Sequence, residues 1–163
     1  MKKTLSLIGF SFALLLSINA YTGKVYDSAI GSKAPELKLA DGDNQLKLSD
    51  MRGRYVLLNF WSSTDAESRI AVQEYDKTLN ELDTEQIEMV SVNFDRSRRM
   101  FEEIVRLDEL NQETQHHVNG NMASEIKRSY ELSDGFKSFL IDRDGRIVAV
   151  NPTKTNLTEV SGI

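Results

Sequence analysis

The residues most suited to chemistry form a short polar stretch directly after Trp61, where an apolar run ends. The stretch consists of Ser62, Ser63, Thr64 and Asp65, and a helical pattern follows it. A buried strand that ends at a polar helix start is where α/β proteins commonly place their functional sites. Hydroxyl and carboxylate groups offer a nucleophile and a base, but the stretch contains no cysteine, histidine or glycine.

A serine hydrolase site is the first candidate for these hydroxyl groups. Its nucleophile would be Ser62, Ser63 or Ser68, and its base would be His116 or His117. No G-x-S-x-G elbow is present, and nothing in the sequence brings the serines and histidines together. We therefore expect no catalytic triad.

The adjacent residues His116 and His117 are also candidates for metal binding, because imidazole is a common metal ligand. Neighbouring residues on a strand point to opposite faces, so the two rings are not expected to share one ion. We expect exposed histidines on an edge strand, with no bound metal and no cofactor.

The chain contains no cysteine, although its N-terminus is typical of an exported protein. Thiol-disulfide exchange requires a thiolate that attacks and a sulfur that is attacked. Redox chemistry within this chain, structural disulfides and zinc sites built on thiolates are therefore excluded. The fold must be held together by packing and hydrogen bonds.

The elements that must position the polar stretch form an α/β pattern. The apolar run Tyr55–Trp61 is typical of a central strand that is covered on both faces. Helical spacing of apolar residues predicts a helix from residue 66 to residue 82, then a strand over residues 87 to 94 and a second helix that ends near Leu107.

Further strands and helices are predicted on both sides of this region. A hairpin is expected from residues 37 to 39 and 46 to 48, and a single turn over residues 49 to 53. In the C-terminal part, the sequence predicts a short edge strand near residues 116 to 118 and a helix over residues 121 to 130. It then predicts a hairpin built from strands 136 to 141 and 146 to 150, and only a short helical turn at residues 156 to 160.

The order of these elements, together with several short motifs, resembles the thioredoxin-like superfamily, and in particular its exported redoxin branch, which is related to alkyl hydroperoxide reductase and thiol-specific antioxidant. The resemblance implies an α/β thioredoxin-like fold with a central mixed β-sheet flanked by helices and an N-terminal β-hairpin. The motifs lie between residues 31 and 150: AP at 34 to 35, LSDMRG at 48 to 53, VLLNFW at 56 to 61, VSVNFD at 90 to 95 and FLIDRDGRI at 139 to 147.

The active-site residues of that family are missing from this chain. The resemblance places the redox pair Cys-x-x-Cys on Asp65 and Ser68, and the cis-proline that packs against it on Phe136, after Gly135. The family's activity is thiol-disulfide exchange or peroxide reduction. Because both thiols and the proline are replaced, we expect no catalytic residue at these positions.

The remaining helix start is predicted to be a capped helix end. Thr64 followed by Glu67 has the spacing of a capping box, with Asp65 one residue into the helix. A carboxylate beside a helix N-terminus is favoured in its ionised form, which makes Asp65 a weak base at neutral pH. We therefore predict that Asp65 has a structural role in capping the helix and does not act as a general base.

The vacated groove is the predicted binding site, for a protein or peptide partner. Its residues are expected to be Trp61, Thr64, Asp65, Gly135 and Phe136. Trp61 and Phe136 are expected to lie close together as apolar anchors, with a trans peptide before Phe136, although core packing is the alternative role for both rings. Two other functions stay open: a redox role that uses the cysteines of a partner, and a structural subunit of an envelope complex.

Three arginines offer a second surface for a partner. Arg96, Arg98 and Arg99 follow Asp95 at a helix start, where positive charge opposes the helix dipole. The cluster therefore suggests an anionic partner, and a solvated helix face is the alternative.

The N-terminus predicts export. Lys2 and Lys3 precede an apolar stretch from residue 5 to residue 16, and a cleavage point follows Ala20. We divide the chain into a signal peptide at 1 to 20, a lead-in at 21 to 30 and a thioredoxin-like domain at 31 to 163. The expected location is periplasmic or secreted, with an uncleaved membrane anchor as the alternative.

The charge of the chain argues against nucleic-acid partners. Cleavage after Ala20 would leave 143 residues with 18 basic and 25 acidic side chains, a net charge of −7. Such a surface repels nucleic acid. No membrane span is expected after cleavage, and the oligomeric state is left open.

Overall fold

The structure is a computed structural model that describes residues 28–41 and 44–162. The predicted signal peptide, its cleavage point and most of the lead-in lie outside these residues. Within the two described ranges, no helix is both long enough and apolar enough to cross a membrane.

The centre of the fold is a five-stranded mixed sheet with the order β5-β4-β3-β6-β7. Strand β3 pairs in parallel with β4 and antiparallel with β6, while β5 extends the parallel side and β7 the antiparallel side. A separate two-stranded hairpin, β1 with β2, precedes the sheet. The strands are β1 Lys38–Asp41, β2 Asn44–Lys47, β3 Tyr55–Trp61, β4 Ile87–Asn93, β5 Gln115–His117, β6 Ser138–Ile141 and β7 Ile147–Val150.

Four α-helices connect or follow the strands of the sheet. They are α1 Ala66–Leu82, α2 Arg98–Leu107, α3 Gly120–Ser129 and α4 Lys154–Ser161. Short 3-10 helices occupy Leu48–Met51, Gln112–Thr114 and Leu132–Asp134. This is the predicted architecture, in which helices flank a central mixed sheet and a hairpin comes first.

Alternation along β3 divides the core into two clusters, one on each face of the sheet. Val56, Leu58 and Phe60 point to the face covered by α3 and the N-terminal hairpin. Leu57 and Trp61 point to the face covered by α1, α2 and α4. Burial of a large apolar side chain stabilises a fold by about 1.5–3 kcal/mol, so this two-sided core is a sufficient source of stability without disulfides.

The C-terminal helix differs from the prediction. Helix α4 has two turns, not one short turn, and it begins with a complete capping box formed by Thr153 and Asn156. Leu157 on this helix is fully buried against the face that also holds α1. The capping bonds and this one buried side chain explain why a weakly apolar segment folds as a helix.

Candidate functional site

The polar stretch after β3 ends in a helix cap made by Asp65. Its carboxylate Oδ1 accepts a hydrogen bond of 2.9 Å from the backbone N–H of Ser68, and α1 begins at Ala66. The predicted capping box of Thr64 and Glu67 is therefore wrong. Thr64 Oγ1 instead lies 3.0 Å from Ser62 Oγ. Aspartate and threonine are both good N-cap residues, and here Asp65, one position after Thr64, is the N-cap.

The rest of the stretch is anchored to Asp95, which follows β4. Asp95 Oδ1 accepts hydrogen bonds from Ser62 Oγ at 2.6 Å and from the backbone N–H of Ser63 at 2.9 Å. Its other oxygen, Oδ2, accepts a bond of 3.2 Å from the side-chain amide of Asn93. Asp95 is only 4% exposed, and these three donors supply the hydrogen bonds that a buried carboxylate requires. Asp95 thus ties together the ends of β3 and β4.

The same contacts decide the question of a serine triad. His117 does lie beside Asp95, but its Nε2 is 2.8 Å from the backbone carbonyl oxygen of Asp95, to which it donates. The imidazole therefore does not stand between Ser62 and the carboxylate, as a catalytic base would. The expectation of exposed histidines is wrong for His117, because its ring is half-buried and stacks on Phe101 at 5.4 Å.

Metal binding has no support in the described residues. No group of three or more histidine, aspartate or glutamate side chains is placed there to hold an ion. His116 and His117 pair with successive residues of β4, so they follow the strand alternation that the sequence predicted.

Phe136, the residue that the resemblance assigns to the family's cis-proline position, lies in the loop before β6. Gly135 before it has φ of +127°, a conformation that favours glycine, and the space where its side chain would be is open. No peptide bond in the described ranges is cis, which agrees with the trans peptide predicted before Phe136. The backbone N–H of Phe136 has no acceptor among the described residues.

Trp61 does not line this loop but has the core-packing role that was its alternative, and the prediction that it forms an apolar surface with Phe136 is wrong. Its side chain is 0% exposed and packs 6.2 Å from the ring of Phe101, on the face covered by α1 and α2. The preceding residue, Phe60, points to the other face and lies 5.9 Å from Phe94, which in turn lies 5.4 Å from Phe136. Strand alternation therefore places Phe60, not Trp61, on the side of Phe136.

A small open cavity lies between the start of α1 and the loop that contains Phe136. It measures about 130 Å³, and Ser68 and Phe136 line it, together with Tyr75, Ser138 and Asn151. A larger groove of about 330 Å³ between α1 and α4 shares Ala71 and Tyr75 with the cavity. The two spaces therefore adjoin along one side of α1.

A row of buried polar side chains runs across the sheet beneath this cavity. Asn59 donates to Ser91 Oγ at 3.0 Å and accepts from Ser138 Oγ at 2.8 Å. The backbone N–H of Ser138 then donates to Asn151 Oδ1 at 2.9 Å. Because these groups satisfy one another, the row fixes the positions of β4, β3, β6 and the turn after β7 without any need for a ligand.

Three charged groups hold α1 to its surroundings. Arg69 makes a bidentate contact with Asp108, with hydrogen bonds of 2.7 Å from Nε and 2.6 Å from a terminal nitrogen. These hydrogen bonds lower the pKa of the Asp108 carboxyl. Burial raises the pKa of Asp76, although the backbone N–H of Asn111 and the side chain of Asn80 oppose that effect. These groups are structural, since none of them lines the small cavity.

The arginine cluster lies at the start of α2. Ser97 caps this helix by accepting from the backbone N–H of Met100, and Arg98 pairs with Glu102 at 3.1 Å. Arg96, Arg98 and Arg99 are all exposed. The pair made by Arg98 is the arrangement expected of a solvated helix face.

Sequence reasoning missed Asp95 as a structural centre, and it also missed the polar row. A signal for both was present: Asn59, Ser91 and Asn93 interrupt apolar strands that are covered on both faces. Buried polar side chains need partners, and those partners lie on neighbouring strands. Sequence reasoning also missed Lys127 on α3, whose Nζ lies 5.2 Å from the ring centre of Phe94, because a contact between distant residues leaves no signal in the sequence.

Comparison with known proteins identifies relatives that have the same architecture. The AhpC/TSA family profile matches residues 30–150. A solved thioredoxin-like protein from Parabacteroides distasonis is 37% identical over 83% of this chain and 96% of its own, with a TM-score of 0.70. No curated protein matches the sequence.

Two further solved structures are similar to the chain. The thioredoxin domain of a thiol-disulfide oxidoreductase from Bacteroides vulgatus is 26% identical over 80% of this chain and 95% of its own, with a TM-score of 0.68. A thiol:disulfide interchange protein from a Bacteroides species is 25% identical over 82% of this chain and 88% of its own, with a TM-score of 0.69.

Proposed function

The chain belongs to the AhpC/TSA family, and we propose that it is a redox-inactive member that binds a protein or peptide in the groove left by the missing redox pair. Its fold is thioredoxin-like, and it has no cysteine. Binding is therefore the function that the fold retains when its chemistry is removed.

One observation carries this proposal. Ser68 and Phe136, the residues to which the family resemblance assigns the second redox position and the cis-proline position, both line the same open cavity of about 130 Å³. This shared recess, with an aromatic ring in its wall, supports a binding role for the region.

The loop at Phe136 can bind an extended segment by strand addition. The backbone N–H of Phe136 has no acceptor within the described residues, whereas a proline at this position would have no N–H to donate. The open space beside Gly135 leaves room for a partner backbone. Main-chain hydrogen bonds would then supply affinity, while the half-buried ring of Phe136 supplies an apolar contact. Thr64 and Asp65 lie at the start of α1, one turn before Ser68, and form the polar part of the proposed site.

Catalysis by the remaining polar groups is disfavoured by their hydrogen bonds. Oδ1 of Asp65 caps the helix start, where the dipole favours a carboxylate that is ionised and weakly basic, and the carboxylate of Asp95 accepts from three donors. A general base needs an oxygen that can reach a substrate proton. The carboxylates of the polar stretch therefore support the shape of the site and do not act as its reagents.

Photo-crosslinking in intact cells tests the proposal. A photo-reactive amino acid is placed at Phe136 in one variant and at Val148 in a control, since Val148 is 39% exposed on β7, away from the groove. We expect a discrete crosslinked product from the Phe136 variant and none from the control. Equal labelling at both positions, or no product at Phe136, would contradict groove binding.

The captured partner then allows a measurement of affinity. Phe136→Ala is expected to weaken binding by about 1–2 kcal/mol, the loss typical of an aromatic anchor. Arg99→Glu is the matched control for the arginine cluster and is expected to change affinity little. The reverse pattern would move the interface to α2.

A complex that survives extended washing at low concentration would favour a permanent structural subunit over a transient binder.

We also propose that the protein is exported to the periplasm or the exterior of the cell. The charged and apolar N-terminal segment supports this proposal. The mass of the mature protein isolated from cells is the test, since cleavage after Ala20 gives a chain that begins at Tyr21. A full-length chain that stays with the membrane fraction would instead indicate an uncleaved anchor.

A further inference from the structure

A lysine and two aromatic rings form a compact cluster beside the proposed groove. Lys127 Nζ lies 5.2 Å from the ring centre of Phe94 and 5.5 Å from that of Phe136. The two rings are 5.4 Å apart and tilted by 36°. We call Phe94, Lys127 and Phe136 the cation–aromatic cluster. It adjoins the small cavity directly, because Phe136 belongs to both.

The charge of Lys127 is not compensated by a carboxylate. Lys127 is exposed on α3, and none of the acidic side chains in the described ranges lies within ion-pair distance of it. Some other cations among the described residues do have carboxylate partners, for example Arg54 with Glu88 at 2.8 Å and Lys154 with Glu81 at 2.7 Å. Lys127 therefore presents a positive charge beside the proposed groove in a chain whose net charge is −5.

Aromatic faces hold an ammonium group in place but do not neutralise it. The attraction comes from the ring quadrupole, and the positive charge remains available to an anion. The two rings therefore fix Lys127 Nζ at one position beside the groove, at a lower entropy cost for binding than a freely rotating lysine would have. This arrangement suits a ligand that brings a negative charge next to an apolar contact.

We infer that the segment bound in the groove is an extended peptide with an acidic side chain that meets Lys127, next to an apolar side chain that packs on Phe136. This inference rests on the proposed function, since it names the chemistry of the partner at the same site. Side chains of an extended peptide that point to the same face are two residues and about 6.6 Å apart. This spacing is close to the 5.5 Å between Lys127 Nζ and the ring centre of Phe136, so side chains at positions i and i+2 can meet the ring and the ammonium group together. A basic segment would be repelled at this position.

A peptide array tests the inference with a defined probe. The probe is a set of N-acetylated, C-amidated random hexapeptides, so that terminal charges do not contribute. Wild-type protein is expected to enrich peptides with Asp or Glu two positions away from an apolar residue, and to bind these about two- to fivefold more tightly than matched Gln peptides, the range for a partly exposed ion pair.

Three variants separate the cluster from general electrostatics. Lys127→Gln is expected to lose the acidic preference while it still binds the Gln peptides. Lys127→Arg keeps the cation and should keep the preference. Arg128→Gln removes an equal charge from the neighbouring exposed position on α3 and should also leave the preference unchanged. Circular dichroism confirms that each variant is folded.

The possible outcomes distinguish the two proposals. Peptides that bind and lose affinity in Phe136→Ala, but show no acidic preference, would overturn the inference and leave the proposed function standing. The same holds if Lys127→Gln retains the preference, or if Arg128→Gln abolishes it. If wild-type protein enriches no peptide at all, groove binding of peptides is refuted and the inference falls with it.

Discussion

Ser62 Oγ donates a hydrogen bond of 2.6 Å to Asp95 Oδ1, and this contact joins the end of β3 to the end of β4. It explains why the chain carries serines directly after Trp61. Ser62 and Ser63 are both donors to one buried carboxylate, and Asp65 begins the helix that follows. The polar stretch between β3 and α1 is therefore a structural connection that is held by its own hydrogen bonds.

The first prediction concerns the stability that Asp95 provides. Asp95→Ala removes the acceptor of three donors, two of which are the Ser62 hydroxyl and the Ser63 N–H, and leaves them unsatisfied. We expect a loss of about 3 kcal/mol in the free energy of unfolding, and about half of that for Asp95→Asn, which keeps one acceptor oxygen. Urea unfolding measures both. Glu85→Ala, at an exposed loop acid, is the control, and an equal loss there would refute a central role for Asp95.

The second prediction separates the two possible caps of α1. Asp65→Ala should lower the free energy of unfolding by about 1 kcal/mol, because the backbone N–H of Ser68 loses its acceptor. Thr64→Ala should cost less, since Thr64 Oγ1 contacts only Ser62 Oγ at the surface. Urea unfolding at one pH measures the loss in the free energy of unfolding for both variants. The opposite ranking would restore the Thr64 capping box.

The sequence allowed the fold to be predicted where patterns are long or turns are distinctive. Strand β3 and helix α1 were predicted with their observed bounds, because an unbroken apolar run and a regular apolar stripe each leave few alternatives. The Asp-Gly turn after β6 identified the last hairpin. Helix α4 was underestimated, since its stability depends on a cap and on one buried leucine, which a periodicity analysis weighs lightly.

The site was harder to predict because it depends on which face each side chain occupies. A shift of one residue along β3 exchanges Phe60 for Trp61, and the sequence pattern of a strand buried on both faces does not distinguish them. The contacts of Asp95 with Ser62 and Ser63 join residues more than thirty positions apart, so only the paired strands bring them together. Asp65 and Thr64 are equivalent cap candidates by type, and local backbone geometry alone selects between them.

The third prediction concerns pH and the pair of Arg69 with Asp108. The pKa of Asp108 is lowered in the folded state, chiefly by the hydrogen bonds from Arg69, from an ordinary value of 3.8. A lowered carboxyl pKa contributes stability that is present above the unfolded pKa and is lost as pH falls through the folded pKa. Asp108→Asn should therefore lower the free energy of unfolding by about 1 kcal/mol at pH 7, a small loss because Arg69 is partly exposed to solvent. Below the folded and the unfolded pKa of Asp108, the substitution should cost nothing.

Asp76→Asn is the control for that experiment because its pH dependence has the opposite sign. Burial raises the pKa of Asp76 in the folded state, so its contribution is fully present below the unfolded pKa and is lost as pH rises through the folded pKa. The stability of Asp76→Asn relative to the wild type should therefore improve as the pH is raised from about 4. Parallel curves for the two variants would contradict both assignments.

The last prediction tests whether Asp65 and Ser68 are the vacated redox positions. The variant that combines Asp65→Cys with Ser68→Cys places two thiols at an N-cap and one turn into the helix. Residues three apart on a helix have Cβ atoms about 5–6 Å apart, and small adjustments at the first turn bring them to disulfide geometry. Mild oxidation should close a disulfide within one chain, which the loss of both free thiols and a monomer mass lower by the two hydrogens removed would show.

A matched variant and the wild type provide the controls. Asp65→Cys combined with Glu67→Cys places its thiols two residues apart, where side chains do not face each other, so the disulfide should form far less readily. Wild-type protein, with no sulfur to exchange, should reduce neither disulfide substrates nor peroxides above the uncatalysed rate. Turnover by the pure wild-type protein would overturn its assignment as redox-inactive. If the variant with Asp65→Cys and Ser68→Cys is folded but its two thiols fail to close, the family's redox pair belongs elsewhere on this chain.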